Sequence, residues 1–192
     1  NGLCYSFRSE ILPFGQFKNN GDYIESDLFF EEKLKLSVGM SYSFNNRTSR
    51  VAGQLGEYLY NKQLADIHYY GVDFAMKRKG WSMTGELYRR TSKNGISINP
   101  NDPTKANFVY SGTGFLLQSG YLYNPKNEFS LRYGLTSPDQ SITAYVSRLN
   151  EYMVGYSHYF FRHNLKLQTD AAYFAGPSQE FLQWRFTGVV TF

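Results

Sequence analysis

Three histidines, His68, His158 and His163, are the side chains best suited to move a proton or hold a metal near neutral pH. None has a second His or a Cys at a ligand spacing, so the pattern predicts no metal site. His68 lies two residues after Asp66, the one His–carboxylate pair close in sequence, and a contact at the rim of a larger structure explains it more simply than catalysis. The chain has neither a GxSxG elbow nor a GxxxxGK[ST] loop, the sequence signs of a nucleophilic serine or a phosphate cradle. Cys4 is the single cysteine and cannot form an internal disulfide. The expectation is a protein that is not an enzyme and carries no cofactor.

The remaining chemistry is charge. Lys33, Lys35, Asp73, Glu86, Arg90, Arg132, Lys166, Asp170 and Arg185 each fall on the polar side of a run whose alternate residues are apolar or aromatic. Charges held in a row along a wet wall bind and steer small ions without transforming them. These nine are the candidate pore-lining residues.

The elements that would position them follow from a period of two. In residues 33–44, Leu34, Leu36, Val38, Met40, Tyr42 and Phe44 share one face, and Lys33, Lys35, Ser37, Gly39, Ser41 and Ser43 the other. The same alternation recurs in 3–11, 67–77, 81–90, 113–123, 128–136, 151–160, 165–173 and 181–192, blurred by Leu116 and Leu122. A helix would scatter both sets around its circumference. Runs of this length match a tilted membrane-crossing strand better than the roughly 5–6 residues usual in globular sheets. Arg or Lys facing lipid at the midplane costs about 2–4 kcal/mol, so the charged face must face water.

Connections also sort by length. KRKG at 77–80, NPKN at 124–127 and FRHN at 161–164 are short turns, whereas 45–66, 91–112, 137–150 and 175–180 read as longer polar loops. Short turns at one end and long loops at the other are the pattern of an outer-membrane barrel. Residues 13–32 break the rhythm, being long where a short turn is due, and a tenth strand within 23–30 is the alternative reading there. Nine strands leave an odd count where single-chain barrels have an even one, so an earlier strand is expected. The start at Asn1, with no signal-peptide pattern, agrees with a portion of a longer chain.

Composition supports the same class. Seventeen Tyr, sixteen Phe and two Trp among 192 residues exclude a solvated coil and favour strands. The mean hydropathy of −0.47 excludes a bundle of membrane helices. Twenty basic against sixteen acidic residues, a net charge of +4, do not call for nucleic acid.

The segments ILPFGQF, KLKLSVGMSYSFN, VAGQLGEYL, GFLLQSGYLY, FSLRYGLTSP and GYSHYFFRHNLKLQTD, with the ending WRFTGVVTF, resemble the phosphate-selective porin O/P family, most closely its Bacteroidota members. The likeness runs over residues 3–192. It implies the C-terminal half of a 16-stranded outer-membrane porin whose terminal aromatic, here Phe192, serves as an assembly signal. It also implies passive diffusion of small hydrophilic solutes, anionic or neutral, with phosphate preference in some members. The partners it implies are outer-membrane lipid and either a homotrimer or a larger envelope complex.

The inward charges weigh the two functional readings. Eight bases (Arg8, Lys33, Lys35, Lys77, Arg90, Arg132, Lys166, Arg185) face six acids (Glu10, Asp73, Glu86, Glu128, Glu151, Asp170), a surplus of two. That surplus gives a weak anion preference, unless cross-strand pairing cancels it. The loops 45–66 and 91–112 are long enough to reach into the passage. The alternative function is a structural or accessory barrel subunit of an outer-membrane assembly with no open pore.

Overall fold

The protein is described by a computed structural model over residues 2–191. Eleven strands follow in chain order: β1 (Cys4–Ile11), β2 (Lys35–Thr48), β3 (Ala65–Arg78), β4 (Trp81–Lys93), β5 (Ile96–Asn99), β6 (Asp102–Phe108), β7 (Gly112–Asn124), β8 (Asn127–Pro138), β9 (Leu149–Phe161), β10 (Leu165–Gly176) and β11 (Gln179–Val190). The alternating runs supply nine of them, all but β5 and β6. These nine make one antiparallel sheet in chain order, each strand beside the next. β5 and β6 form a separate hairpin in the connection from β4 to β7. Phe192 lies outside the described residues.

The turns set the register. Between β3 and β4, Lys79 (φ 50°) and Gly80 (φ 84°) both take the left-handed conformation that a two-residue hairpin turn requires. At 124–127 the Asn124 side chain accepts from the Lys126 amide at 2.9 Å and from the Asn127 side chain at 2.9 Å. With register fixed, period two places every second side chain on one face. Asp73 stands beside Gly39 and Glu86, and Lys77 beside Lys35 and Ser82, on a polar face. Val72 stands beside Met40 and Leu87, and Leu131 beside Ser119 and Val154, on an apolar one.

The apolar face is uncovered along the sheet: Val72, Leu87, Leu131 and Val154 are 50–62% exposed and Trp184 is 78% exposed. Aromatic rings gather in two rows across it. One follows the short-turn end, with Trp81 on Tyr121 (centroids 4.5 Å) and Phe129 between Tyr123 (5.5 Å) and Tyr156 (5.4 Å). The other follows the far end, with Phe44 on His68 (4.5 Å), Tyr42 on Tyr70 (5.2 Å) and Tyr133 on Tyr152 (5.2 Å). Val72, Leu87, Leu131 and Val154 lie between them, with Trp184 of β11 level with Leu131 and Val154.

One glycine on this face has a packing role. Gly85 pairs with Phe74, whose ring lies where a Cβ at residue 85 would stand. Gly85→Val is expected to displace that ring and destabilise the sheet by about 1–3 kcal/mol. The readout is the midpoint of denaturant unfolding, and an unchanged midpoint would mean the ring is not held there.

The far-end loops lie over the polar-face ends of β3 and β4, touching Ile67 and Arg90, but carry an apolar cluster where polar segments were expected. Residues 45–66 and 91–112 pack on each other, burying Leu59, Ala65, Ile67 and Val109 together with Val51. The Tyr60 amide donates to Ser97 Oγ at 3.0 Å, and the Gln63 side chain donates to the carbonyls of Asn94 (2.6 Å) and Ile96 (2.7 Å). The period-two reading missed β5 and β6 because four to seven residues are too few to show alternation against a polar background. Residues 175–180 are not a loop either. β10 and β11 extend to Gly176 and Gln179, leaving Pro177 and Ser178 as a tight turn.

Candidate functional site

The polar face of the sheet, with the segment that lies on it, is the candidate site. Two arginines are locked by carboxylates up to two strands away. Arg8 grips both Asp73 oxygens, at 2.6 and 2.8 Å, and reaches Glu10 at 3.2 Å. Arg185 bonds Asp170 at 2.7 Å through Nε and stands 3.6 Å from Glu151. Such charge-assisted pairs fix side-chain direction and cancel field. Each cluster joins one cation to two carboxylates. Arg185 therefore adds little to the expected surplus of positive charge, because its partners neutralise it.

The other candidates are placed as follows. Arg132 has no carboxylate partner among the described residues and donates from Nε to Gln118 at 2.8 Å. Lys166 lies 5.9 Å from the Tyr159 ring centre, and Arg90 donates to the Val51 carbonyl at 3.4 Å. Glu86 is exposed and forms no ion pair among the described residues. Lys35 donates to the Phe14 carbonyl at 3.0 Å. Lys33 was expected on a strand, but β2 begins two residues later at Lys35, and Lys33 stands exposed in the preceding bend.

Residues 12–34 form neither a short turn nor a tenth strand. They run across the polar face at the short-turn end as coil and short 3-10 turns. Lys77, only 2% exposed, donates to the carbonyls of Gly21 (2.6 Å), Ile24 and Ser26 (2.8 Å). Asp27 accepts from the Gly80 amide at 2.8 Å and the Glu31 amide at 3.0 Å, and Glu31 accepts from the Lys18 amide at 2.5 Å. Farther across, Gln118 donates to Glu25 at 3.4 Å and the Arg162 guanidinium lies 5.1 Å from the Phe29 ring centre. One stretch of chain thus touches β3, β7 and the β9–β10 turn from the same side. Leu122, on the polar face of β7, and Tyr159 on β9 are buried here. The Tyr159 hydroxyl donates to Glu128 at 2.5 Å.

The electrostatics of this end follow from burial. Asp27 is pushed above the usual carboxylate value, because burial outweighs the two amides and the nearby Lys77. His163, in the β9–β10 turn, is pushed down to about 4, first by burial and then by Lys166 and Lys77, with Glu25 opposing. Its ring meets Tyr159 edge-on at 5.7 Å, and its Nε2 is buried without a hydrogen-bond partner. Of the other histidines, His158 bonds Asn127 through Nδ1 at 2.7 Å and His68 bonds the Tyr42 hydroxyl at 2.9 Å. Asp66 accepts from the Arg47 amide at 2.8 Å, so the His68–Asp66 pair is not assembled as an acid–base unit. Among the described residues no group of three or more His, Cys, Asp or Glu is gathered as metal ligands would be.

The sequence reading missed this seat. It counted Lys77 as one more inward charge, and the available signal was the mixture in 21–32, where apolar Ile24, Leu28, Phe29 and Phe30 interrupt five acids. Neither a family model, nor a curated protein, nor a solved structure matches the chain, so its function is argued from this wall and the segment on it.

Proposed function

We propose that the nine strands are part of the wall of an outer-membrane β-barrel, a porin through which small hydrophilic solutes diffuse passively. The observation that carries this reading is the two-faced sheet: an uncovered apolar face, mainly aliphatic in the middle and aromatic at both ends, opposite a face of buried and paired charges. Exposed apolar area of this extent is unusual on a water-facing protein, and the banding fits a bilayer with its interfacial girdles. β1 and β11 each have one partner among the described residues and run in the same direction. An antiparallel barrel containing both needs an odd number of strands between them, and a 16-stranded barrel supplies sixteen minus nine, or seven. This agrees with the resemblance to phosphate-selective porins, and a homotrimer or larger envelope complex belongs to the same proposal.

Arg132, Lys166, Arg90 and Lys35 lack carboxylate partners on this wall and favour anions, against the acid surplus of the two arginine clusters. The test is conductance in planar bilayers, with reversal potential measured in a salt gradient. The triple change R132Q, K166Q, R185Q is expected to move that potential toward cations. Each change removes one positive charge, and loss of Arg185 also leaves Asp170 and Glu151 unpaired. The shift should fade at high salt, because the Debye length is about 10 Å at 0.1 M and about 3 Å at 1 M. An unchanged potential in an open, folded triple variant would remove selectivity from this wall. A second reading, a structural or accessory barrel without an open pore, is favoured by one observation: residues 12–34 occupy the polar face.

A further inference from the structure

We propose that residues 12–34 are a tethered acidic plug that closes the short-turn end of the passage, latched by Lys77, and that its release opens a path past Lys77, Arg132 and Lys166. The inference rests on the porin reading and reconciles it with an occupied polar face.

The latch is built to be all or none. An ammonium has three donors, and Lys77 spends all three on the carbonyls of Gly21, Ile24 and Ser26. The three acceptors lie within six residues of one another, so they reach the ammonium together only in this fold of the segment. A buried ammonium stripped of these carbonyls would stand uncompensated, which makes partial loosening unfavourable. Asp27 adds a second hold by accepting from Gly80 in the β3–β4 turn, and the Phe30 ring lies against that same glycine. Both holds act on β3 and its turn. Toward β7 and the β9–β10 turn the polar contacts are a 3.4 Å hydrogen bond from Gln118 to Glu25 and a ring-to-guanidinium distance of 5.1 Å, with Leu122 and Tyr159 buried at that end. The charged and backbone holds on the segment are thus concentrated on the β3 side.

Charge gives the closed and open states different character. Residues 12–34 carry Asp22, Glu25, Asp27, Glu31 and Glu32 against Lys18 and Lys33, five acids to two bases. Docked, they set negative charge beside Lys77, Arg132 and Lys166, a sector whose own carboxylate, Glu128, is buried and bonded to Tyr159. Undocked, they uncover Lys77 and remove that screen. Opening is therefore expected to raise conductance and to raise anion preference at the same time.

The test uses Lys77→Met, which keeps length and volume but donates nothing, with Ser26→Cys in a Cys4→Ser background as reporter. Ser26 is 2% exposed and holds Lys77 through its backbone carbonyl, which the reporter keeps. In the full chain, reconstituted in bilayers, Lys77→Met is expected to raise the rate at which a membrane-impermeant maleimide labels the Ser26→Cys thiol by about tenfold or more. Conductance should rise with it, and the reversal potential should move toward anions. Unchanged labelling would overturn the latch. Faster labelling with unchanged conductance would overturn the plug. Should Lys77→Met fail to fold, removal of residues 16–30 with a Gly-Ser-Gly bridge decides the matter in protein shown to be folded by its altered gel migration before heating. Higher conductance supports the plug. Conductance at the wild-type level overturns the plug and leaves the porin reading standing. No conductance in the folded, plugless protein overturns the porin reading, and the plug with it.

Discussion

Leu131→Arg is expected to prevent stable assembly in a bilayer, whereas Arg132→Leu, one residue away, leaves assembly intact. Leu131 is central on β8, on the uncovered apolar face, 62% exposed and flanked by Val154. If that face meets lipid, an arginine at mid-strand costs about 2–4 kcal/mol, and its two cross-strand neighbours, Ser119 and Val154, offer no carboxylate to pair with it. Arg132 points the other way, toward Gln118. Replacing it removes one hydrogen bond on a face reached by water, worth about 1 kcal/mol. The two changes sit next to each other in sequence and differ only in face, so the comparison isolates the environment of each side. The measurement is the folded, protease-resistant fraction after reconstitution. Equal tolerance of both changes would mean that the apolar face is not in lipid, and the opposite order would invert the wall.

Acidification is expected to loosen the short-turn end between pH 6.5 and pH 4, with His163 as the cause. Released into water the ring takes up a proton near the ordinary value of 6.5, but in place it resists protonation down to about 4. A depressed value means that the stability it contributes is present above pH 6.5 and is lost as pH falls through that window. The gap limits the loss to about 3 kcal/mol by linkage, and partial solvation of the ring reduces this to about 1–2 kcal/mol. The charges facing the ring are Lys166 and Lys77, which oppose protonation, and Glu25, which favours it. Asp27 works in the opposite sense. Its value is raised, so its contribution strengthens as pH falls from that raised value to the ordinary carboxylate value. His163→Phe keeps the edge-on contact with Tyr159 and carries no titrating nitrogen, so it should flatten the pH dependence of thermal unfolding between 6.5 and 4. A variant that follows the wild-type curve would place the titration elsewhere.

The strands were legible because period two is a local property. Residues 33–44 alternate whatever surrounds them, and turn residues at 77–80, 124–127 and 161–164 mark where the chain must reverse. Sequential hairpins then make sheet order follow chain order, which is why β2 through β4 and β7 through β11 fall close to where alternation put them. The face of Asp73, Arg132, Asp170 and Arg185 came from the same parity. What parity could not say is which charges meet. Arg8 reaches Asp73 two strands away across Gly39, whose lack of a side chain leaves room for the pair.

Tertiary structure alone decided the role of residues 12–34. The hydrogen bonds that fasten them to the sheet go to partners far along the chain: Lys77 lies 51 to 56 residues from the carbonyls it holds, and Gln118 lies 93 from Glu25. Such contacts leave no period in the sequence, because each depends on the sheet having already brought β3 and β7 to one side. Leu122 shows the same limit. On alternation it is a flaw in the polar face, yet it is buried at the end where the segment lies. The sequence by itself determined a two-faced antiparallel wall, since pleat and turn chemistry are written residue by residue. Only the folded chain determined that the wall's polar face carries a segment of its own, since that depends on distance in space.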